Sequence, residues 1–167
     1  MRKIKIIGFL FFASLFASCG GDGDEGMGET YSKYKPVLMD TSSFYKSVNF
    51  GPAREINSKG TIYADGTNMF VVEHDLGVHF LDNTNPANPI ETGFLNVIGC
   101  RDLSIVKNTM YVNHEVDMLA IDITNPKNPV VVKRIRNIFP MSPTPDGYPL
   151  PTAYSKIPAN CVIVGWK

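Results

Sequence analysis

Three observations predict an all-β chain: two four-stranded, propeller-like blades forming an incomplete β-propeller, with an irregular N-terminal lead-in and a Pro-rich C-terminal tail. The first is a repeat. Asn68 to Pro89 (NMFVVEHDLGVHFLDNTNPANP) recurs without a gap 40 residues later as Asn108 to Pro129 (NTMYVNHEVDMLAIDITNPKNP), with nine of 22 positions identical. A period of about 40 residues in a strand-rich chain is a signature of propeller blades or a related array. The second is that the middle strands of each copy, such as Met118-Leu119-Ala120-Ile121, are apolar on both faces. A sheet covered on one side would alternate, so both faces should be covered, as when blades stack. The third is the run Val130-Val131-Val132-Lys133-Arg134-Ile135-Arg136, which turns basic along its length. Lysines and arginines guard outer edge strands.

The chain begins with an address. Met1 to Lys5 is basic, and Ile6 to Phe16 is an apolar run of 11 residues, too short to span about 30 Å of hydrocarbon as a helix. Leu15-Phe16-Ala17-Ser18-Cys19 follows. Small residues directly before a Cys at the end of such a run resemble a bacterial lipobox. Residues 1–18 are then a lipoprotein signal peptide and Cys19 is the lipidated residue. Several acyl chains on one Cys supply what stable anchoring needs. Residues 19–30, containing GGDGDEGMGET, form an acidic Gly-rich tether. The acidic run after the Cys resembles the surface-export signal of Bacteroidetes lipoproteins. Gly21, Gly23 and Gly26 spell G-x-G-x-x-G, but no strand precedes them and Asp22, Asp24 and Glu25 would repel a pyrophosphate.

Residues 31–59 are the lead-in, with short extended pieces at Pro36–Met39 and Val48–Phe50, a helical turn at Ser42–Ser47, and contact with the first blade. Residues 60–140 hold the two repeats. The first is read as strands over Thr61–Ala64, Met69–His74, Val78–Asp82 and Ile90–Val97, with a tight turn at Asp65-Gly66. The second is read as strands over Asp102–Val106, Thr109–His114, Met118–Ile123 and Val130–Arg136. The Thr-Asn-Pro-x-Asn-Pro stretches, carrying Asn85, Pro86, Asn125 and Pro126, are loops, because two prolines cannot sit in a central strand. Asp82 and Asp122 before them suit hydrogen bonding to turn backbone N–H groups. Residues 141–167 are a Pro-rich tail ending in a strand over Cys161–Trp166, able to pair with a blade edge.

Val78-His79-Phe80-Leu81-Asp82 and Met118-Leu119-Ala120-Ile121-Asp122, each followed by x-Thr-Asn-Pro-x-Asn-Pro, resemble the LVIVD repeat over about Pro36 to Pro140. That family comprises bacterial and archaeal cell-surface proteins, often lipoproteins, expected to form propeller-like β structure. Its members usually carry more repeat sequence than this. The resemblance implies a shortened, Bacteroidetes-type relative anchored at the outer membrane or cell surface.

Composition narrows function. Without its first 18 residues the chain carries 13 basic and 16 acidic residues, which argues against a nucleic-acid surface. No Cys-x-x-Cys, G-x-S-x-G or Walker loop is present. His74, His79 and His114 all lie in the repeats. His74 and His114 are repeat-equivalent, which favours a shared structural role over a cation site built with Glu73, Asp75, Glu115 and Asp117. No metal or cofactor is expected. Cys100 and Cys161 are the remaining cysteines; outside the cytoplasm they could form a disulfide, free buried thiols being the other reading. The leading expectation is a non-enzymatic interaction module. It is anchored to the membrane by its N-terminal lipid, takes a protein or glycan ligand, and could share one assembly among several copies. The alternatives are a fragment of a glycan-active enzyme using Asp102, Glu115 and Asp117, or a truncated, non-functional relative of a longer LVIVD-repeat protein. Cys19→Ala is expected to abolish palmitate labelling of the chain in its host; labelling that persists would refute the lipobox.

Overall fold

The structure, a computed structural model, describes residues 30–58, 60–154 and 156–167. Cys19, residues 1–18 read as a signal peptide and most of the segment 19–30 read as a tether lie outside them. The described chain is mostly strand, in three antiparallel sheets.

The extended pieces and the helical turn read in the lead-in are present, in a segment otherwise expected to be irregular. It runs as β1 (Pro36–Asp40), α1 (Thr41–Lys46) and β2 (Asn49–Gly51). Asp40 starts the helix: its Oδ1 accepts from the backbone N–H groups of Ser42 and Ser43 at 3.1 and 3.0 Å, two of the donors a helix start leaves orphaned. The first repeat forms β3 (Ile62–Asp65), β4 (Asn68–Glu73), β5 (Gly77–Asp82) and β6 (Ile90–Asn96). Each strand pairs with the next, and β2 adds beyond β6 to give the order β2-β6-β5-β4-β3. This sheet therefore has five strands, not four, and its fourth repeat strand is not an edge. The second repeat forms β7 (Leu103–Val106), β8 (Thr109–His114), β9 (Asp117–Asp122) and β10 (Val130–Ile135), a four-stranded sheet with β10 at one edge. The final strand, β11 (Cys161–Trp166), pairs with β1 rather than with an edge of either repeat sheet.

Both repeats carry a bulge at the same place. Phe80 pairs with Gly93 and Leu81 with Glu91, skipping Thr92. Ala120 pairs with Lys133 and Ile121 with Val131, skipping Val132. The central hairpins differ. Glu73 pairs with Gly77 across three turn residues, His74 to Leu76. His114 pairs with Asp117 across two, Glu115 and Val116. Asp82 therefore faces Asn68 but Asp122 faces Thr109. Side chains alternate between faces along a strand, so this single residue changes which residues of the next strand share a face: Phe70 and Val72 lie with Val78 and Phe80, but Met110 and Val112 lie with Leu119 and Ile121, not with Met118 and Ala120.

The sheets meet face to face. Phe70, Val72, Val78, Phe80 and Leu95 from the first lie in one cluster with Met110, Val112, Leu119 and Ile121 from the second, none more than 2% exposed. Burying each such side chain is worth about 1.5–3 kcal/mol, against about 0–1 kcal/mol for an exposed ion pair. This core therefore dominates the fold. Phe50 from β2 completes it, edge-on to Phe80 at 5.2 Å between centroids. The far face of the first sheet is also covered: Val71, His79 and Phe94 are buried, with the Arg54 guanidinium 3.7 Å from the Phe94 ring centroid. The second sheet departs from expectation. Its far face, with Tyr111, Asn113, Met118 and Ala120, is only half-buried.

Gly77 permits the longer turn. Its φ is +150°, and a Cβ there would overlap the Leu95 carbonyl oxygen of the neighbouring strand. Gly77→Ala should destabilise the protein by about 2–4 kcal/mol, measured by urea unfolding; a loss below about 0.5 kcal/mol would contradict this geometry.

Candidate functional site

The repeated loops spend their polar groups on themselves. Asp82 Oδ1 accepts from the Thr84 N–H and hydroxyl at 2.9 and 2.6 Å. Asp122 Oδ1 accepts from those of Thr124 at 2.8 and 2.6 Å. These bonds hold both carboxyls below the usual carboxylate range, the Thr84 and Thr124 side chains contributing most. Asn85 Oδ1 and Asn125 Oδ1 accept from the N–H groups two residues on, Ala87 and Lys127. Asn88 N–H and Asn128 N–H return to the carbonyls of Asn85 and Asn125 at 2.9 Å. Pro86 and Pro126 sit inside these closed turns. The spacing thus sets how the chain leaves β5 and β9 and leaves little capacity for a ligand.

The three histidines separate. His74 lies exposed in the three-residue turn, whereas His114 is wholly buried at the end of β8. The hairpin difference therefore breaks their sequence equivalence. His114 stacks on Phe44 of α1 at 3.8 Å. Its Nδ1 lies 2.8 Å from Arg134, and its Nε2 3.3 Å from the Ser47 hydroxyl. A guanidinium only donates, so Nδ1 accepts. Burial, then the Arg134 charge, push the His114 pKa down to about 3, against the attraction of Asp117. Arg134 also binds the buried Asp117 carboxylate at 2.9 Å.

On the first sheet, His79 lies between two carboxylates, Nδ1 2.6 Å from Glu91 and Nε2 3.0 Å from Glu73. Arg54 caps Glu73, and the Asn57 N–H reaches the same carboxylate at 3.2 Å. Burial works to raise the Glu73 pKa, but the bonds from Arg54 and His79, with the Arg54 charge, outweigh it and leave the group below its usual range. Arg54 and Arg134 escape a reading by motif, because each pairs with an acid 17 or more residues away in sequence. The local sign is the Lys133-Arg134 pair after three valines.

The acids considered for a cation or catalytic site divide between buried pairs, the surface and one cleft. Glu73 and Asp117 are consumed by buried pairs, and Asp75 binds Arg101 at 3.1 Å. Among the described residues, no group of three His, Cys, Asp or Glu side chains is placed to hold a metal ion. Cys100 and Cys161 are both free, correcting the disulfide reading. Cys100 is buried in the core between the repeat sheets, its thiol pushed up to about 12 by burial and the nearby Asp102 charge. Cys161 lies on the separate β1–β11 pair, opposite Asp40.

What remains open is the far face of the second sheet. There a cleft of about 470 Å³ lies between that face and the segment 139–143, within the range of roughly 300–1,000 Å³ typical of ligand sites. Leu103, Tyr111, Met118, Phe139, Pro140 and Met141 form its apolar lining, and Arg101, Asp102 and Glu115 are its charged members. The Phe139 N–H donates to the Val116 carbonyl at 3.0 Å, holding the segment over the sheet. Asn113 is spent on structure: its Oδ1 accepts from the N–H groups of Arg101 and Asp102, and its Nδ2 donates to the Gly99 carbonyl. Glu115 is different. Its backbone is left-handed, φ +47°, uncommon for a non-glycine residue. Burial, with the Asp75 charge, raises its pKa against the pull of Ser142 and Arg101.

No protein-family model, curated protein or solved structure matches the chain.

The depressed His114 pKa has a stability consequence. The unfolded chain, with an imidazole pKa near 6.5, binds a proton that the folded chain refuses until about pH 3. Stability present above pH 6.5 should fall as pH drops through that window. His114→Gln should flatten this acid limb in urea unfolding followed from pH 7 to 4; an unchanged limb would show that His114 does not titrate as its surroundings dictate.

Proposed function

We propose that this chain is a lipid-anchored protein of the outer membrane or cell surface, related to the LVIVD-repeat proteins. Its two repeat sheets are propeller-like blades, and it works as a non-enzymatic interaction module. The observation that carries the binding role is the open far face of the second sheet, with its cleft beneath residues 139–143. The face of β5 that carries Val78 and Phe80 meets the second sheet, and its repeat counterpart on β9, Met118 and Ala120, is the open face. The open face thus corresponds to one that the first repeat uses for contact, which supports recognition there. The Cys19 motif supports the anchorage, and the resemblance of both repeats supports the family.

The glycan-enzyme alternative keeps two of its three acids at the cleft. Asp102 and Glu115 line the cleft, but Asp117 lies on the opposite, buried face, paired with Arg134. Two carboxylates at a defined separation across a substrate groove are what that chemistry needs.

The test is retention of ligands by the full chain, in nonionic detergent, on glycan and peptide arrays. The wild type should hold a discrete set. The Tyr111→Ala, Met118→Ala double variant should lose it by about tenfold or more, while Lys133→Ala on the outer edge keeps it. Binding indifferent to the cleft variant, or no retained ligand, would sink the proposal.

A further inference from the structure

We propose that the cleft receives a primary ammonium group on an apolar stem, as in a lysine side chain of a partner protein, with the Glu115 carboxylate as its counter-charge. This rests on the reading of the open face as a binding surface and names the chemistry it selects.

Three observations support it. The first is charge balance. Of the charged groups lining the cleft, Arg101 is already bound to Asp75 at 3.1 Å. Among the described residues, neither Asp102 nor Glu115 has an ion-pair partner. Each carboxylate accepts one side-chain hydrogen bond, Asp102 Oδ1 from the Leu103 N–H at 2.9 Å and Glu115 Oε2 from the Ser142 hydroxyl at a longer 3.4 Å, so Glu115 is the more weakly held acceptor. The second is how Glu115 is held. It occupies one of two residues in a tight turn with a left-handed backbone, and its carboxylate lies over Gly99, where a Cβ would overlap it. Among the described residues, the carboxylate's one hydrogen bond is that long one from the Ser142 hydroxyl. Non-glycine residues kept in that region cost free energy and gather at ligand sites. The carboxylate is also half-buried, where its attraction for a cation is stronger than in open water. The third is the wall chemistry. Tyr111 and Phe139 offer aromatic rings, which attract an ammonium electrostatically. Met118 and Met141 offer flexible apolar surface, which moulds to an alkyl stem. A bare metal ion would find too few ligands here. A neutral apolar ligand would leave the Glu115 carboxylate with only its long Ser142 bond and the field of Arg101, a weak compensation in a half-buried site.

The experiment compares Nα-acetyl-lysine methylamide with Nα-acetyl-norleucine methylamide, which keeps the stem and lacks the ammonium. Both are titrated by NMR or calorimetry into the full chain in nonionic detergent at pH 7. The lysine amide should bind at least about tenfold more tightly, and Glu115→Gln should erase that preference while retaining the wild-type unfolding midpoint. Equal affinity for the two amides in the wild type, or no saturable binding of the lysine amide, would overturn the proposal without reliance on any variant. A preference retained in Glu115→Gln would overturn Glu115 as the counter-charge. If the arrays retain ligands through the cleft while the lysine amide fails, only the ammonium assignment falls. If neither binds, the reading of the open face falls with it.

Discussion

A side-chain period of two governs this protein. Every strand of the repeat sheets must send one set of side chains into the shared core, and the length of the central hairpin turn chooses which set. With three turn residues, β4 sends Phe70 and Val72 inward beside Val78 and Phe80. With two, β8 sends Met110, Val112 and His114 to the same side as Leu119 and Ile121. A one-residue slip would turn each set outward, so the core between the sheets exists only in this pairing.

The buried polar clusters follow from that choice. His114 is carried into the interior by its face, and an imidazole there needs partners. Phe44, Ser47 and Arg134 supply them, so α1 is seated against the end of the second sheet. On the first sheet, Glu73 and His79 face away from the core and are sealed by Arg54 and Asn57 from the lead-in. The lead-in is thus bound to the sheets by paired charges as well as by Phe50 in the core. Removing one partner of such a pair costs about 3–5 kcal/mol, because the other charge is left buried alone.

The same pairing leaves the cleft. The far face of the second sheet has no sheet upon it among the described residues, only the segment 139–143 bridging to Val116. A half-covered apolar face with one underused carboxylate differs from the rest of the surface, where the Asp and Asn side chains of the repeated loops are closed on their own backbones. It is the part of the structure with chemistry left over.

What the sequence by itself determined is local. The strands, the Asp-Thr and Asn-Pro turns and the equivalence of the two copies were legible in runs of a few residues. Strand propensity and side-chain-to-backbone hydrogen bonds act over such distances. The slot between β4 and β5 was not legible in the gapless repeat, which aligns His74 with His114 although one is exposed and the other buried. The helix-bearing lead-in was visible in pieces, but its division between β11, the second sheet and the edge of β6 was not. Nor were the partners of Arg54 and Arg134, the separation of Cys100 from Cys161, or the gathering of Asp102 and Glu115 without Asp117. Each depends on which face of a strand is buried and on what then covers it. Burial is a property of the assembled sheets, and only the tertiary structure decided it.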